Sequence, residues 1–192
     1  MAYFLSSSRL GFRHWTAADL PLAKSLWMDS GVMTHMGGPM TAEQAEARLE
    51  VERTRQTALG ISYWPIFHLI SGEHAGCAGL RPFHDEQRVY ELGVHIASKF
   101  WGVRYGEEAA RAVIEYAFGT LGALELTAGH GPHNMNSKDL LVRLGYAFSH
   151  EEPWGAQELM HPFYRLKPEH YREGNTQSHP SSMPQSSRYP RT

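Results

Sequence analysis

The sequence predicts an α/β (α+β) fold organised around a strand, a glycine-bearing loop and a helix. Residues 89–96 alternate apolar with small or polar side chains, which is typical of a strand with one face on a core. A loop with Gly102 and Gly106 follows, and apolar residues then recur at helical spacing for about four turns. Two further predicted strands, 61–70 and 77–83, precede this unit and are joined to it by short turns.

The elements at the start of the chain follow from capping and periodicity. Residues 9–15 alternate as a first strand, and Thr16 can cap a helix over about 17–29. The segment 34–40 is too rich in glycine for regular structure. The sequence TAEQ then fits a capping box, which predicts a polar helix over 41–58.

Proline and glycine refine the remaining elements. Pro65 lacks an amide hydrogen, so it favours an edge position or a bulge in the first of the two preceding strands. After the central helix we predict a short strand over 124–128 and a last strand over 162–168. Between them Asn134 begins a short helix that Gly145 can close.

The chain of 192 residues is long enough for one domain with a sizeable core. We assign that domain to residues 1–170. The segment 171–192 is rich in Ser and Pro and nearly devoid of apolar side chains, so we predict that it is disordered.

Composition restricts the function classes. Hydrophobic residues at 42% and charged residues at 20% describe an ordinary soluble globule, and a net charge of −2 gives no electrostatic case for nucleic acid. The single cysteine, Cys77, excludes an internal disulfide and fits a reducing compartment. The opening MAYFLSSS does not resemble a signal peptide, and no run approaches 18 apolar residues. We therefore expect a cytoplasmic protein that has no membrane partner.

The sequence gives no metal site. Cys77 and His84 are most simply a packed thiol and a loop imidazole. His130 and His133 stand three residues apart, but the glycine and proline between them indicate a loop, and no cysteine or acidic residue lies nearby. We therefore predict that no metal is bound.

The strand–loop–helix unit can bind an anion, because the first turn of a helix has unpaired amide hydrogens and a partial positive charge. A pyrophosphate is the common ligand of such a turn. An ordinary βα unit whose glycines only form a turn explains the same spacing equally well.

The sequence ELGVHI followed by WGVRYGEEA resembles motif A of the GNAT acetyltransferases, in particular the ribosomal-protein N-terminal acetyltransferase (RimJ/RimL-like) branch. The resemblance spans about residues 9–167 and implies a GNAT fold with a central, mostly antiparallel mixed sheet flanked by helices. It also implies acetyl-CoA as co-substrate. The positions that match the pattern are Glu91, Leu92, Gly93, Trp101, Gly102, Tyr105, Glu108 and Ala109.

Two positions depart from that pattern. Val94 stands where the branch often has an aromatic residue, and Arg104 stands where a second glycine is expected. Arg104 could keep ordinary helical dihedral angles and turn its guanidinium to a coenzyme phosphate, which is the outcome we expect. Alternatively its side chain crowds the pyrophosphate and weakens binding.

A second family signature is matched by Asn134, Ser137 and Gly145. From the residues alone, Asn134 can be a helix N-cap and Ser137 a residue of the first turn. The resemblance implies a place beside the coenzyme sulfur for both, with Ser137 protonating the leaving thiolate. Other branches use a tyrosine for that task where this chain has Leu141, so a water molecule is the alternative to Ser137.

Acetyl transfer to an amine needs a proton acceptor, because an alkyl ammonium has a pKa near 10 in water. The alternation of the central strand places Glu91 and His95 on one face, about 13 Å apart. Glu91 matches the position that the family uses as a base, although a carboxylate paired with a neighbouring cation explains it nearly as well. His95 could relay the proton or only line the cleft.

The resemblance further implies that the strand before motif A splays from its neighbour and pairs with the pantetheine arm, with a backbone N–H near His95 or Ile96 polarising the thioester. The expected coenzyme contacts are Ile96, Trp101, Gly102, Val103, Arg104, Tyr105, Gly106, Asn134 and Ser137.

The sequence thus predicts an acetyl-CoA-dependent N-acetyltransferase that acts on a primary amine. The acceptor could be a protein N-terminus or a small amine such as a polyamine or aminoglycoside, and segments 30–40 and 150–162 would decide. Glu151, Glu152 and Glu158 favour a cationic acceptor. The alternatives are a non-catalytic domain that binds acyl-CoA and a subunit that acts through a homodimer, which leaves no mark in the sequence.

Overall fold

A computed structural model describes residues 2–84, 86–154 and 158–171. Its strands form one eight-stranded sheet in the order β1-β2-β3-β4-β5-β6-β8-β7. The strands are β1 (Leu5–Ser6), β2 (Leu10–Phe12), β3 (Tyr63–His68), β4 (His74–Pro82), β5 (Val89–Ile96), β6 (Glu125–Gly129), β7 (Ala147–Trp154) and β8 (Leu159–Leu166). The helices are α1 (Leu20–Trp27), α2 (Ser30–Met33), α3 (Ala42–Leu59), α4 (Tyr105–Gly119) and α5 (Met135–Arg143).

The sheet is mixed and mostly antiparallel, as the resemblance implies. Six of the seven neighbouring strand pairs are antiparallel, and only β5 and β6 run parallel. Parallel strands need a crossover connection, which here contains α4. The predicted mixed sheet flanked by helices is confirmed.

The sheet separates two cores. Leu92 packs with the apolar face of α4, including Val113. On the other face, Tyr63 and Cys77 pack with residues of α1 and α3. Because side chains alternate along a strand, the residues of β5 that do not face α4 lie on the side of α1 and α3.

Most predicted elements are present, with different ends. The strand over 89–96 and the helix after Asn134 are confirmed, and the capping box of α3 is formed between Thr41 and Gln44. The predicted helix over 17–29 is instead a 3-10 turn, Ala17–Asp19, followed by the shorter α1.

Pro65 lies in an interior strand, so the edge position is wrong for β3 as a whole. Its carbonyl accepts a hydrogen bond from the Arg13 amide at 3.4 Å, which places its ring nitrogen on the same side, just beyond the end of β2 at Phe12. A register shift lies next to it, between Ile66 and Phe67. The missing donor is therefore tolerated where the neighbouring strand has ended.

Strand β7 was not predicted. One face of this strand is exposed and the other is mainly half-buried, and the half-buried face carries the polar His150 and Glu152. The strand therefore shows no apolar alternation, and it lies at the edge of the sheet. The predicted disorder of the C-terminal segment lies almost wholly outside the described residues, since Tyr171 is the last of them. Within the described residues, each helix is too short or too polar to cross a membrane.

Candidate active site

The two parallel strands diverge after a short paired section. Residues Val89–Glu91 of β5 pair with Glu125–Thr127 of β6, while β5 continues to Ile96. The Arg88 carbonyl accepts from Leu124 on the β6 side, and the Ala97 amide donates to Ala75 on the β4 side. Backbone groups alternate in direction along a strand. The even-numbered residues of β5 beyond the paired section therefore turn their amide and carbonyl groups toward the open gap.

This alternation identifies the amides available to a ligand. The N–H groups of Val94 and Ile96 face the gap, whereas that of His95 faces β4. The Ile96 and Val94 N–H groups are therefore the candidates for polarising a thioester in the gap. The His95 N–H is not a candidate, because it faces β4.

The loop after β5 leads directly to the first turn of α4. The Trp101 indole N–H donates to the Ile96 carbonyl at 2.8 Å, and Gly102 has a φ of +80°. Arg104 is the N-cap of α4, with φ 62° and ψ 23°, and α4 begins at Tyr105. The amides of this first turn have no partner within the helix.

The expectation that Arg104 keeps ordinary helical dihedral angles is wrong. Its backbone is left-handed, in a region that favours glycine and costs other residues about 1–2 kcal/mol. Its side chain is exposed and lies at the edge of the cavity described below.

A latch from the N-terminus holds this loop. We define the latch as Ser7, Ser8 and Arg9 with the Glu108 carboxylate. Both serine hydroxyls and the backbone and Nε of Arg9 donate to that carboxylate over 2.6–3.0 Å. Arg9 also donates to the Val103 carbonyl at 3.1 Å and lies 4.6 Å from the centre of the Tyr105 ring. Although burial opposes it, this hydrogen bonding lowers the pKa of Glu108.

Helix α5 supplies the opposite wall of the gap. The Asn134 side-chain oxygen accepts from the Ser137 amide at 3.1 Å, so Asn134 is the N-cap that the sequence indicates. Both side chains line the cavity. Arg143, which the sequence did not identify, lines it as well and lies 3.4 Å from Glu107 in the first turn of α4.

These parts enclose one cavity of about 910 Å³. That volume is at the upper end of the range for ligand sites. Glu91, His95 and all the expected coenzyme contacts except Val103 line it; Val103 is exposed and touches the latch instead.

Glu91 forms an ion pair with Arg81, its partner across the β4–β5 ladder. The Arg81 guanidinium donates three hydrogen bonds to the carboxylate at 2.6–2.9 Å. This is the cation-paired arrangement that the sequence left open. Burial raises the pKa of Glu91, and Arg81 opposes that shift. The carboxylate still lines the cavity, so a role as base stays a prediction.

His95 lies on the same face of β5 as Glu91, as predicted, next to the Tyr63 ring at 6.1 Å between ring centres. Burial lowers the pKa of His95 to about 4, so its imidazole is neutral at pH 7 and accepts a proton poorly. Among the described residues its Nδ1 has no hydrogen-bond partner. These facts favour lining the cleft over relaying a proton.

The two segments expected to border the acceptor do reach the cavity. His35 and Met36 line it from one side. Trp154 and His161 line it from the other, with their rings stacked 4.9 Å apart. Glu152 of the acidic segment lies 3.4 Å from His84 and 3.3 Å from His150.

His130 lies in a loop, as predicted, with its Nδ1 2.8 Å from the Gly131 carbonyl oxygen and its ring stacked on that of Tyr164. Cys77 is buried, which raises its pKa to about 12 and fits a packed thiol. Over the described ranges, no three His, Cys, Asp or Glu side chains are grouped so that they could hold a metal ion.

Comparison with a family model identifies the family, and two relatives are similar to the chain in sequence. A family model described as an acetyltransferase (GNAT) domain matches residues 9–147. The Bacillus subtilis (strain 168) protein YkkB is 30% identical over 125 residues, which cover 65% of this chain and 73% of YkkB. The N-acetyltransferase p20 of Bacillus licheniformis is 24% identical over 144 residues, covering 74% of this chain and 81% of p20.

Solved structures share the fold. An Agrobacterium tumefaciens (strain C58) acetyltransferase has a TM-score of 0.72 at 26% identity and covers 86% of this chain and 97% of its own. A Bacillus anthracis GNAT-family acetyltransferase has a TM-score of 0.73 at 19% identity, covering 86% and 98%. RimL, a ribosomal L7/L12 alpha-N-protein acetyltransferase, has a TM-score of 0.71 at 13% identity, covering 84% and 91%. At 19% and 13% identity the likeness shows the fold alone.

Proposed function

Because this chain belongs to the GNAT acetyltransferase family, we propose that it transfers the acetyl group of acetyl-CoA to a primary amine. The observation that carries the proposal is the divergence of β5 from β6 beside the first turn of α4, within one cavity. The Val94 and Ile96 amides, which face the gap, lie along β5 between Glu91 and the loop that leads to the helix terminus. Acetyl-CoA, when bound, supplies an acetyl group activated as a thioester.

The residues present fit this co-substrate. The first-turn amides of α4 and the partial positive charge of the helix suit a pyrophosphate. The exposed Arg104 and half-exposed Arg143 side chains add positive charge at the same end of the cavity. The Val94 and Ile96 amides are free to donate to amide or thioester carbonyls along the gap.

We assign proton transfer from the amine to Glu91, directly or through water. Its carboxylate accepts three hydrogen bonds from Arg81, yet two oxygens offer about four acceptor sites, so one further donor can be accommodated. Burial raises the pKa of Glu91 and the ion pair with Arg81 lowers it, and the effect of burial is the larger of the two.

We assign protonation of the departing thiolate to Ser137. Its amide is held by Asn134 at 3.1 Å, which fixes the first turn of α5, and its half-buried side chain lines the cavity. Water is the alternative donor, since the neighbouring position that other branches use is Leu141 here.

The Glu91–Arg81 ion pair and the strained Arg104 favour a second candidate, a domain that binds acyl-CoA without turnover. The two candidates are separated by a thiol-release assay with acetyl-CoA and a panel of primary amines. In parallel, hydrogen exchange with and without saturating CoA reports on binding. We expect protection of the amides over 102–118 and release of thiol with at least one amine. Protection without thiol release would favour the binding domain. If CoA protects no amides and no amine gives thiol release, both candidates are wrong.

The acceptor class is not determined by the family. The ribosomal-protein branch remains a prediction, and so does an N-terminal amine as acceptor. Glu91 and the nearby Glu152 give the end of the cavity opposite the helix terminus an acidic character that suits an ammonium group.

A further inference from the structure

Arg48, on α3, has guanidinium N–H donors beyond the one that binds its partner Glu52. Its Nε donates to Glu52 at 2.7 Å, and its guanidinium carbon lies 5.4 Å from the Trp27 ring and 5.5 Å from the Tyr63 ring. Within the described part of the chain, neither terminal nitrogen of Arg48 has a hydrogen-bond acceptor. The group is held in place but its fork of donors is open.

The charges around Arg48 do not cancel. Glu52 is fully buried and is shared by Arg48 and Arg55, so one carboxylate faces two guanidinium groups. The Ser62 hydroxyl and the Tyr63 amide also donate to Glu52 at 3.0 and 2.9 Å, which leaves it little capacity for more donors. One positive charge remains over, and Arg48 rather than Arg55 lines the cavity.

The open fork lies close to the reacting end of the cavity. Tyr63 lies over Gly93, since a Cβ atom there would come 2.3 Å from the tyrosine ring. Gly93 is two residues along β5 from Glu91, a distance of roughly 7 Å. The cavity face beside β5 therefore has an acidic pole at Glu91, on which the charge of Glu152 acts through space, and a cationic pole at Arg48. Arg81, the other cation there, is paired with Glu91, and His95 is neutral.

We infer that the acceptor is an amine that also carries a carboxylate, with the ammonium group at the acidic pole and the carboxylate on the Arg48 fork. A planar guanidinium matches a carboxylate through two parallel hydrogen bonds, which gives both affinity and orientation. The inference rests on the proposed function and narrows its substrate. The carboxylate can belong to a free amino acid or to an acidic side chain next to a peptide N-terminus.

The test compares acceptors that differ only in this charge. Thiol release at saturating acetyl-CoA is measured for several L-amino acids and their amides, and for amidated tetrapeptides beginning Ser-Asp or Ser-Asn. Spermidine represents acceptors without a carboxylate. We expect kcat/KM to be about 10- to 100-fold higher for the carboxylated member of the pairs that fit, the scale of a hydrogen-bonded charge. Which pairs respond distinguishes a free amino acid from a peptide.

The variants are Arg48→Gln, with Arg48→Lys for partial rescue, and Arg55→Gln as the matched control. Arg55 donates to the same Glu52 at 2.6 Å but lines a separate surface groove. Arg48→Gln should remove the preference by raising KM for the carboxylated acceptors to that of the amides. Arg55→Gln should keep the preference. Equal use of both members by the parent, preference for spermidine, or an unchanged preference in Arg48→Gln would overturn the inference.

Calorimetric titration of the same acceptor pairs into the CoA complex keeps the test independent of turnover. Carboxylate-dependent binding that is lost in Arg48→Gln but not in Arg55→Gln supports the inference, even where no thiol is released. The absence of thiol release would then count against the proposed function and not against the inference. Thiol release with amines, but without any carboxylate dependence, overturns the inference and leaves the proposed function in place.

Discussion

Replacing Arg104 by glycine should stabilise the protein and weaken coenzyme binding at the same time. The backbone of Arg104 is left-handed, with φ 62°. For a side chain with a Cβ atom this costs about 1–2 kcal/mol, and glycine removes the cost. Glycine also gains freedom in the unfolded chain, which offsets about 0.4–1 kcal/mol. No hydrogen bond of the Arg104 side chain within the described residues is lost, so the net stabilisation is about 0.5–1 kcal/mol.

The matched variant is Arg104→Ala, which removes the same charge but keeps the backbone strain. Thermal unfolding should show the glycine variant above the alanine variant by roughly 2–4 °C, the shift expected for about 1 kcal/mol in a chain of this size. Calorimetry with CoA should show both variants binding about 5-fold more weakly than the parent, because both lose one charge-assisted contact. The two variants thus separate the effect of backbone strain on stability from the effect of the arginine charge on CoA binding.

Two results would refute this reasoning. A glycine variant less stable than the alanine variant would mean that the left-handed conformation carries no cost at position 104. A glycine variant that binds CoA more tightly than the parent would mean that the arginine side chain obstructs the pyrophosphate, and it would strengthen the non-catalytic candidate.

Glu91→Gln should lower kcat by roughly 10²-fold with CoA affinity intact, whereas Arg81→Met, which removes the partner and keeps the base, should retain more activity; equal losses in both would make the ion pair structural only. Glu108→Gln should weaken CoA binding severalfold without changing kcat, and a double-mutant cycle with Arg9→Gln should give a coupling of about 1 kcal/mol; independent effects would show that the latch does not support the loop. Burial lowers the pKa of His95 to about 4 in the folded protein. The unfolded chain therefore binds one more proton than the folded chain between about pH 6.5 and pH 4, and the free energy of unfolding decreases as the pH is lowered through that range. His95→Gln should reduce this slope by up to about 1.4 kcal/mol per pH unit in denaturant titrations, and a parallel pH profile of parent and variant would contradict the assignment.

The central unit could be predicted because its signals are local. The alternation over 89–96 and the capping box at Thr41 and Gln44 depend on neighbouring residues, and both are present in the structure. Strand β7 could not be predicted in the same way. The half-buried face of this edge strand carries His150 and Glu152, so it has no apolar period, and Pro153 and the acidic residues of AFSHEEPW lower its strand propensity.

The residues of the candidate site also differ in whether their sequence signal is local. Glu91, Ser137 and the loop residues are predictions from the family resemblance, whose motifs are short stretches of the chain. Arg81 could have been found by extending the predicted hairpin, which pairs it opposite Glu91. Arg48, Tyr63 and Arg9 could not, because they reach the site from separate elements that only the folded chain brings together. The left-handed backbone of Arg104 was also beyond the sequence, since an arginine in a glycine position has two physical outcomes.

The latch has a consequence for the timing of synthesis. Ser7 and Glu108 are separated by 101 residues along the chain. At the usual synthesis rates of about 5–20 residues per second, the N-terminal turn therefore waits roughly 5–20 s before its partner has been made. During that interval its hydroxyl and amide donors are satisfied by water, and the loop that should hold the coenzyme does not yet exist. A nascent chain halted before residue 108 should therefore be unable to bind CoA, however well its first strands have folded.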